Sequence, residues 1–387
     1  MIYLDYNAST PMAPEVKKAM ILAWDQYGNP SGTHTSARAA EALFENARQQ
    51  IATELGVSPL EIILTSGSTE ALTIALWGQI LGAPDSRSKV LVSSIEHEAV
   101  LATAKVACKI AKKELIIIPV IGLRESIQVG QVDLDFISAN IGEDVALIAV
   151  MAVNNETGII QPIEKVAELA GNFDVPFLCD STQALGKDAT FSMRDVPAMF
   201  TVSGHKVYGP KGSGALVMSR KLQASMVTIT PGGGQERGIR GGTLNAASAV
   251  GLATALKFAL DDLQNEMVRQ EKLRDRLFAA LLMEFPDSLT SNSGSPIFCL
   301  KNTLNLRFHT ASSDAVLVSM AKVAASRASA CSAGMEEPSH VLLAMGMTSR
   351  EAEESMRFSL GRFTTSAEIE ASIDDVSAAV TRVRALS

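Results

Sequence analysis

"MFTVSGHKVYGPKGSGALVM", residues 199–218, sets two short apolar runs, 199–203 and 214–218, on either side of a stretch with one histidine, two lysines and three glycines. A lysine in a solvated turn needs no Ser-Gly-His approach; a lysine that must bond covalently to a bound ligand does. The same apolar step recurs upstream at 61–65 (EIILT), 89–94 (KVLVSS), 114–121 (ELIIIPVI), 145–153 (VALIAVMAV) and 175–180 (VPFLCD), with helical patterns over 35–56, 69–81, 97–113 and 162–171. Strands that read as continuous apolar runs, separated by helices, predict a mostly parallel α/β sheet buried on both faces. Groups that act on ligands collect at the loops leaving the carboxyl ends of such strands, where Thr69, His97, Asn155, Asp180 and Lys206 fall. A long helical segment over 245–284, then "NTLNLRF" (302–308), a helix near 313–323 and a terminal helix from about 366 predict a smaller α+β domain. The expected division is a large domain over 12–260, and a small one from 1–11 and 261–387 with a loop at about 326–340.

The totals narrow the function. A chain of 387 residues, 47% hydrophobic and 20% charged, is a globular composition with room for two cores. Its net charge of -8, without a basic stripe, argues against nucleic-acid binding. The longest apolar runs, 115–123 and 145–153, fall far short of a membrane span, and the first residues lack a signal-peptide pattern. Cys108, Cys179, Cys299 and Cys331 are scattered without metal-ligand spacing, so no metal and a reducing cytoplasm are expected.

Three stretches complement the lysine. "TSGSTEA" (65–71) runs from strand into helix start, where backbone N–H groups, hydroxyls and the helix dipole suit a phosphate, although such turns often only cap a helix. "LCDSTQALG" (178–186) ends a strand in Asp180, followed three residues on by Gln183. A carboxylate there needs a partner, and a protonated ring nitrogen would serve, as would a helix cap. His97 lies just past a strand in "SSIEHEAV" (93–100), where a lone histidine is more often structural than catalytic. Lys206 and Asp180 sit 26 residues apart at the ends of neighbouring strands, a pairing suited to pyridoxal phosphate. Lys211 is the competing lysine but lacks the Ser-Gly-His approach.

With "YLDYNASTP", "YGNPSGTH", "VNNETG", "DSTQALGK", "GGGQERGIRGGT", "SACS" and "RFSLGRFT" added in order, the chain resembles the NifS/IscS-like cysteine desulfurases of the class V aminotransferase group along essentially its whole length. The resemblance implies a fold-type I enzyme with a mostly parallel seven-stranded sheet. It implies that Lys206 carries pyridoxal phosphate, Asp180 pairs its ring nitrogen, Gln183 its phenolic oxygen, and His97 stacks on the ring. Ser68, Thr69, Ser203 and His205 would hold the phosphate with Thr243 from the other subunit of a homodimer, and Asn155 and Arg357 the substrate carboxylate. Cys331, among serine, alanine and glycine, would take sulfur from L-cysteine as a persulfide, with His97 a candidate acceptor for the substrate thiol's proton. The implied product is L-alanine, and the implied recipient a sulfur-acceptor protein such as an iron–sulfur scaffold. "SGTH" (31–34), Met356 before Arg357 and the acids of "SAGMEEPSH" depart from the common pattern and bear mainly on the acceptor. A selenocysteine lyase, an aminotransferase with an incidental Cys331, and a sulfur-relay scaffold without turnover are the alternatives. "GGGQERG" is no dinucleotide fingerprint.

Overall fold

In the computed structural model, which describes residues 1–123, 126–327 and 337–386, the apolar runs form a seven-stranded sheet. We number the strands β1 (Ile2–Tyr3), β2 (Ile62–Thr65), β3 (Lys89–Ser93), β4 (Glu114–Ile118), β5 (Val145–Ala149), β6 (Phe177–Cys179), β7 (Met199–Ser203) and β8 (Gly214–Val217). The sheet order is β2-β8-β7-β6-β5-β3-β4, mostly parallel as expected, and β8 alone runs against its neighbours. The reversal follows from chain length. Helices α1 (Pro14–Trp24), α2 (Thr35–Leu55), α3 (Ser68–Gly82) and α4 (Glu98–Ala111) lead into the sheet or lie between its strands. Residues 204–213, between β7 and β8, are too few for a crossover helix, so the chain can only turn back. Every residue of β2, β5, β6, β7 and β8 is buried, whereas the edge strand β4 exposes Glu114 and Ile117 although its sequence reads as the same kind of apolar run.

The 245–284 segment differs from the expectation of one helix: it is two, Ala246–Leu260 and Leu263–Glu284, broken where Asp262 takes a left-handed conformation (φ 52°). The first, rich in alanine, packs on α1 and α2; the second packs on the C-terminal helix Ser366–Leu386. The helix expected near 313–323 ends at Ser319, because the Asp375 carboxylate accepts from the amides of Ala321, Lys322 and Val323 and draws the chain out straight. Val323–Ala324 then pairs in parallel with β1. A second, antiparallel sheet orders Ser326–Arg327, Ser355–Ser359, Thr303–Phe308 and Leu289–Ser291. Its core joins Leu4 to Leu277, Phe308, Phe358 and Val380, while Tyr6 packs in the core of the large sheet.

The "GGGQERG" stretch is pinned from beneath. Glu236 and Arg48 are both buried and bond in a two-pronged pair, Arg48 Nη2 to Oε1 at 2.6 Å and Nη1 to Oε2 at 2.9 Å. The same carboxylate accepts from Leu64 N of β2 at 2.8 Å. This pair holds Glu236 and Arg237 with positive φ (45° and 58°), conformations that cost free energy for residues other than glycine. Glu236→Ala leaves buried Arg48 only the half-exposed Glu45 as counter-charge and should lower unfolding stability toward the lower end of about 3–5 kcal/mol. Urea unfolding would measure this, and a loss below about 1 kcal/mol, the scale of an exposed pair, would mean the pair is not structural.

Candidate active site

The carboxyl ends of β3, β5, β6 and β7 share one edge of the sheet and bring the candidate residues together. β7 stops at Ser203 and the chain closes a single 3-10 turn, Gly204–Lys206. Lys206 Nζ donates to the backbone carbonyls of Asn7 (2.7 Å) and Ala8 (2.9 Å), two residues that sequence reasoning did not place at the site. The "YLDYN" spacing carries no periodic signal, so only the packed fold shows it. The glycines serve close approach as well as freedom: a Cβ on Gly214 would stand 2.5 Å from Gly67 Cα. The lysine turn is thereby laid against the start of α3, where Gly67 caps without a side-chain bond and Ser68 and Thr69 form the first turn. Unused amides at a helix N-terminus fit an anion.

Asp180 follows β6 and is buried, its Oδ1 accepting from Thr182 N (3.0 Å) and Thr201 Oγ1 (2.8 Å). Thr182 Oγ1 beside it is buried without a partner among the described residues. Gln183 Nε2 donates to Asn7 O (2.9 Å), and its Oε1 accepts from Lys187 Nζ. Lys187, also unforeseen, is buried; burial first, then the charges of Lys206 and Arg357, push its ammonium well below the usual lysine range. His205 bonds Ser9 Oγ through Nδ1 (3.2 Å). Burial, then Lys206 and Lys211, lower its pKa to about 4, so the ring is neutral at pH 7.

His97 caps α4, its Nδ1 accepting from Ala99 N at 3.1 Å, which puts the ring proton of the neutral form on Nε2. In that tautomer the ring offers a donor, and it takes a further proton at Nδ1 only by giving up the cap. Two buried carboxyls flank it. Glu96 accepts from Ser93 Oγ (2.8 Å) and Met151 N (2.6 Å), and burial raises its pKa to about 8. Glu156, raised by burial to about 7, accepts from Ser339 Oγ. His340 Nε2 meets Glu96 O at 2.9 Å, so the chain that re-emerges after Cys331 is tied to both acids' segments. Asn154 spends its side chain on the turn, through Ile95, Glu156 and Thr157. Asn155 instead offers its carbonyl to Arg357 Nη1 (2.8 Å). Arg357 is 1% exposed, pairs with Asp5 through Nη2 (2.7 Å), and leaves Nε buried without a partner among the described residues. An orphaned guanidinium N–H in a dry setting suits an incoming carboxylate.

The structure does not bring every candidate residue to the lysine. Thr243 is exposed and lines a separate cleft of about 240 Å³ with Thr65, Ser66 and Gly212. Cys331 lies outside the described residues. A cavity of about 630 Å³ opens at the opposite end of the strands against Phe177, Phe200 and Val217, away from these groups. Among the described residues no group of three or more His, Cys, Asp or Glu is placed to hold a metal ion.

Residues 2–371 match the family model described as Aminotransferase class-V. The chain belongs to that family. It is 41% identical to a cysteine desulfurase of Frankia sp. (strain EuIK1), covering 100% of this chain and 93% of that protein. Among solved structures, a NifS-like protein superimposes with a TM-score of 0.89 at 29% identity, covering 98% of this chain and 99% of the other. A structure titled "SspA in complex with cysteine" gives a TM-score of 0.79 at 32% identity over 94% of this chain and 100% of the other. This class-V member is an enzyme of the cysteine desulfurase class.

Glu96 yields a prediction with a definite sign. Its carboxyl titrates near 4.5 when unfolded and near 8 when folded, so between these values only the folded state keeps the proton. Its contribution to stability therefore falls as pH rises from about 4.5 to about 8 and is flat above. Glu96→Gln should melt progressively higher than wild type as pH is raised from 5 to 8. A gap independent of pH would mean that the carboxyl is ionised throughout.

Proposed function

We propose that this enzyme uses pyridoxal 5'-phosphate to take sulfur from L-cysteine, releasing L-alanine and leaving a persulfide on Cys331 for a sulfur-acceptor protein such as an iron–sulfur scaffold. The observation that carries the reading is the setting of Lys206: an amine at a strand end, beside a buried acid on the neighbouring strand and against an uncapped helix start. The residues fit the cofactor. The α3 amides with Ser68, Thr69, Ser203 and neutral His205 would hold its phosphate, Asp180 its ring nitrogen, Gln183 its phenolic oxygen, and His97 one ring face. When bound, the cofactor supplies an aldehyde for Lys206 and a sink for the electrons released at the substrate Cα.

The chain's own groups would do the rest. Arg357, with Asn155, orients the substrate carboxylate. Lys206, displaced by the substrate amine, removes the Cα proton. The Cys331 thiolate attacks the substrate Sγ; the S–S bond forms, the Cβ–Sγ bond breaks, and its electron pair stays with the carbon skeleton, which takes up protons to become alanine. The three described thiols support this assignment by elimination. Cys108, Cys179 and Cys299 are buried, and burial raises their pKa to about 11, well above 9 and about 12 respectively, so none is a thiolate at neutral pH.

The homodimer, with Thr243 reaching the neighbouring site, is supported by apolar surface. Trp24 (62% exposed) and Tyr27 (87%), with Ile21 and Leu22, lie on and just after α1, which packs on the helix that follows Thr243. The charge balance and the free cysteines favour work in the cytoplasm. Among the described residues no helix is long and apolar enough to cross a membrane.

Absorption spectra test the reading. After loading with pyridoxal phosphate and removal of the excess, wild type and Cys331→Ala should show a visible band that L-cysteine shifts and that borohydride fixes to the protein, and Lys206→Ala should retain no cofactor fixed in this way. Only wild type should then release alanine and, under reductant, sulfide; equal sulfide from Cys331→Ala would remove Cys331 from the mechanism. Arg357→Lys, which keeps the charge but loses the planar fork, should raise KM for L-cysteine about tenfold and change kcat less. An unchanged KM would place the carboxylate elsewhere.

A further inference from the structure

Lys187 is the one buried lysine that the reading above does not employ, and its partners share a property. Its Nζ meets two side-chain carboxamide oxygens, Gln183 Oε1 and Asn7 Oδ1, the latter at 3.1 Å. An ammonium has three hydrogens and no lone pair, so each neighbour must turn an oxygen toward it. That choice fixes the other end of both amides. Gln183 must present Nε2 on the far side, where it donates to Asn7 O at 2.9 Å, and Asn7 must present Nδ2, which donates to Thr303 Oγ1 at 2.9 Å and Asn155 O at 3.3 Å. Asn7 O is also the acceptor of Lys206 Nζ. Turning either amide over would set NH₂ against NH₃⁺ inside a dry site, where an unmatched donor is costly. Lys206, Arg357 and Asp5 are the charged groups that act on Lys187 across this space. Burial and the neighbouring cations disfavour the ammonium, and the two oxygens are the contacts that favour it.

We propose that Lys187 is a positioning residue: it locks the carboxamides of Gln183 and Asn7 so that Gln183 shows a hydrogen-bond donor, never an acceptor, on the side of Lys206. The part that concerns the cofactor rests on the reading given above, in which Gln183 faces a phenolic oxygen. A donor there favours the anionic oxygen and lowers the proton affinity of the linked nitrogen; a carbonyl turned the same way raises it.

The test is a pH titration of the visible band of wild type, Lys187→Met, Gln183→Met and the double variant, each loaded with pyridoxal phosphate, with melting temperatures alongside. Lys187→Met should bind a proton at the band roughly tenfold more tightly than wild type, and Gln183→Met should move it in the same direction. The double variant should move no further than Gln183→Met, because Lys187 acts through that amide. Lys187→Arg, which keeps a donor, should hold close to the wild-type value and serves if Lys187→Met does not fold. A Lys187→Met band that titrates as wild type does, even with a lower melting temperature, would reduce the residue to packing and overturn the proposal alone. Additive shifts in the double variant would overturn it too. A wild-type protein that forms no band overturns the cofactor reading and this proposal with it.

Discussion

Asn7 stands where the two hydrophobic cores meet, and its groups are divided between them. Its amide donates to Ser359 Oγ (2.9 Å) and its Nδ2 to Thr303 Oγ1, both on the smaller sheet. Its carbonyl faces the other way, toward Lys206 and Gln183. A backbone carbonyl cannot rotate independently of the turn that carries it, so the position of the reactive amine is referred to the smaller sheet as well as the larger. β1, just before that turn, is fixed by pairing with Val323–Ala324, and Leu4 O then accepts from Ser359 N. The consequence is a site that exists only when both layers are assembled.

Much of this was legible in the sequence because the large sheet is buried on both faces. Unbroken apolar runs such as 145–149 and 199–203 have one economical arrangement, and short glycine-rich returns such as 204–213 mark where it reverses. The apolar runs alone place Lys206, Asp180 and His97 at strand ends, whereas Arg357 is named only through the family resemblance. What stayed hidden depended on contacts across long sequence separations. The break at Asp262 looks helical in composition and is decided by which helices each half packs against. The early end of the helix at Ser319 is decided by Asp375, a residue in the last helix. Lys187 sits in a motif that the sequence reading quoted, but nothing in its neighbours says that its side chain turns inward rather than into water.

Electrostatics at the site are governed by burial more than by pairing. Burial pushes Glu96 and Glu156 toward their protonated forms, keeps His205 neutral, and opposes the Lys187 charge that two carboxamide oxygens favour. A medium that resists charge in this way strengthens every charge it does accept. Arg357 with Asp5 is the described ion pair at its centre, and it is the one that a substrate carboxylate would compete for.

The threading of the N-terminal strand also sets an order of events during synthesis. Asn7 is made well before Ser359, and the bond between them spans 352 positions. A nascent chain can build the large sheet and display Lys206 before it owns the strand that receives Asn7, so the amine's acceptors are anchored only once residues 303–359 have been made. The reactive amine is thus tied to a strand made more than a hundred residues later: without Ser359, Asn7 would lose the anchor that holds its carbonyl toward Lys206.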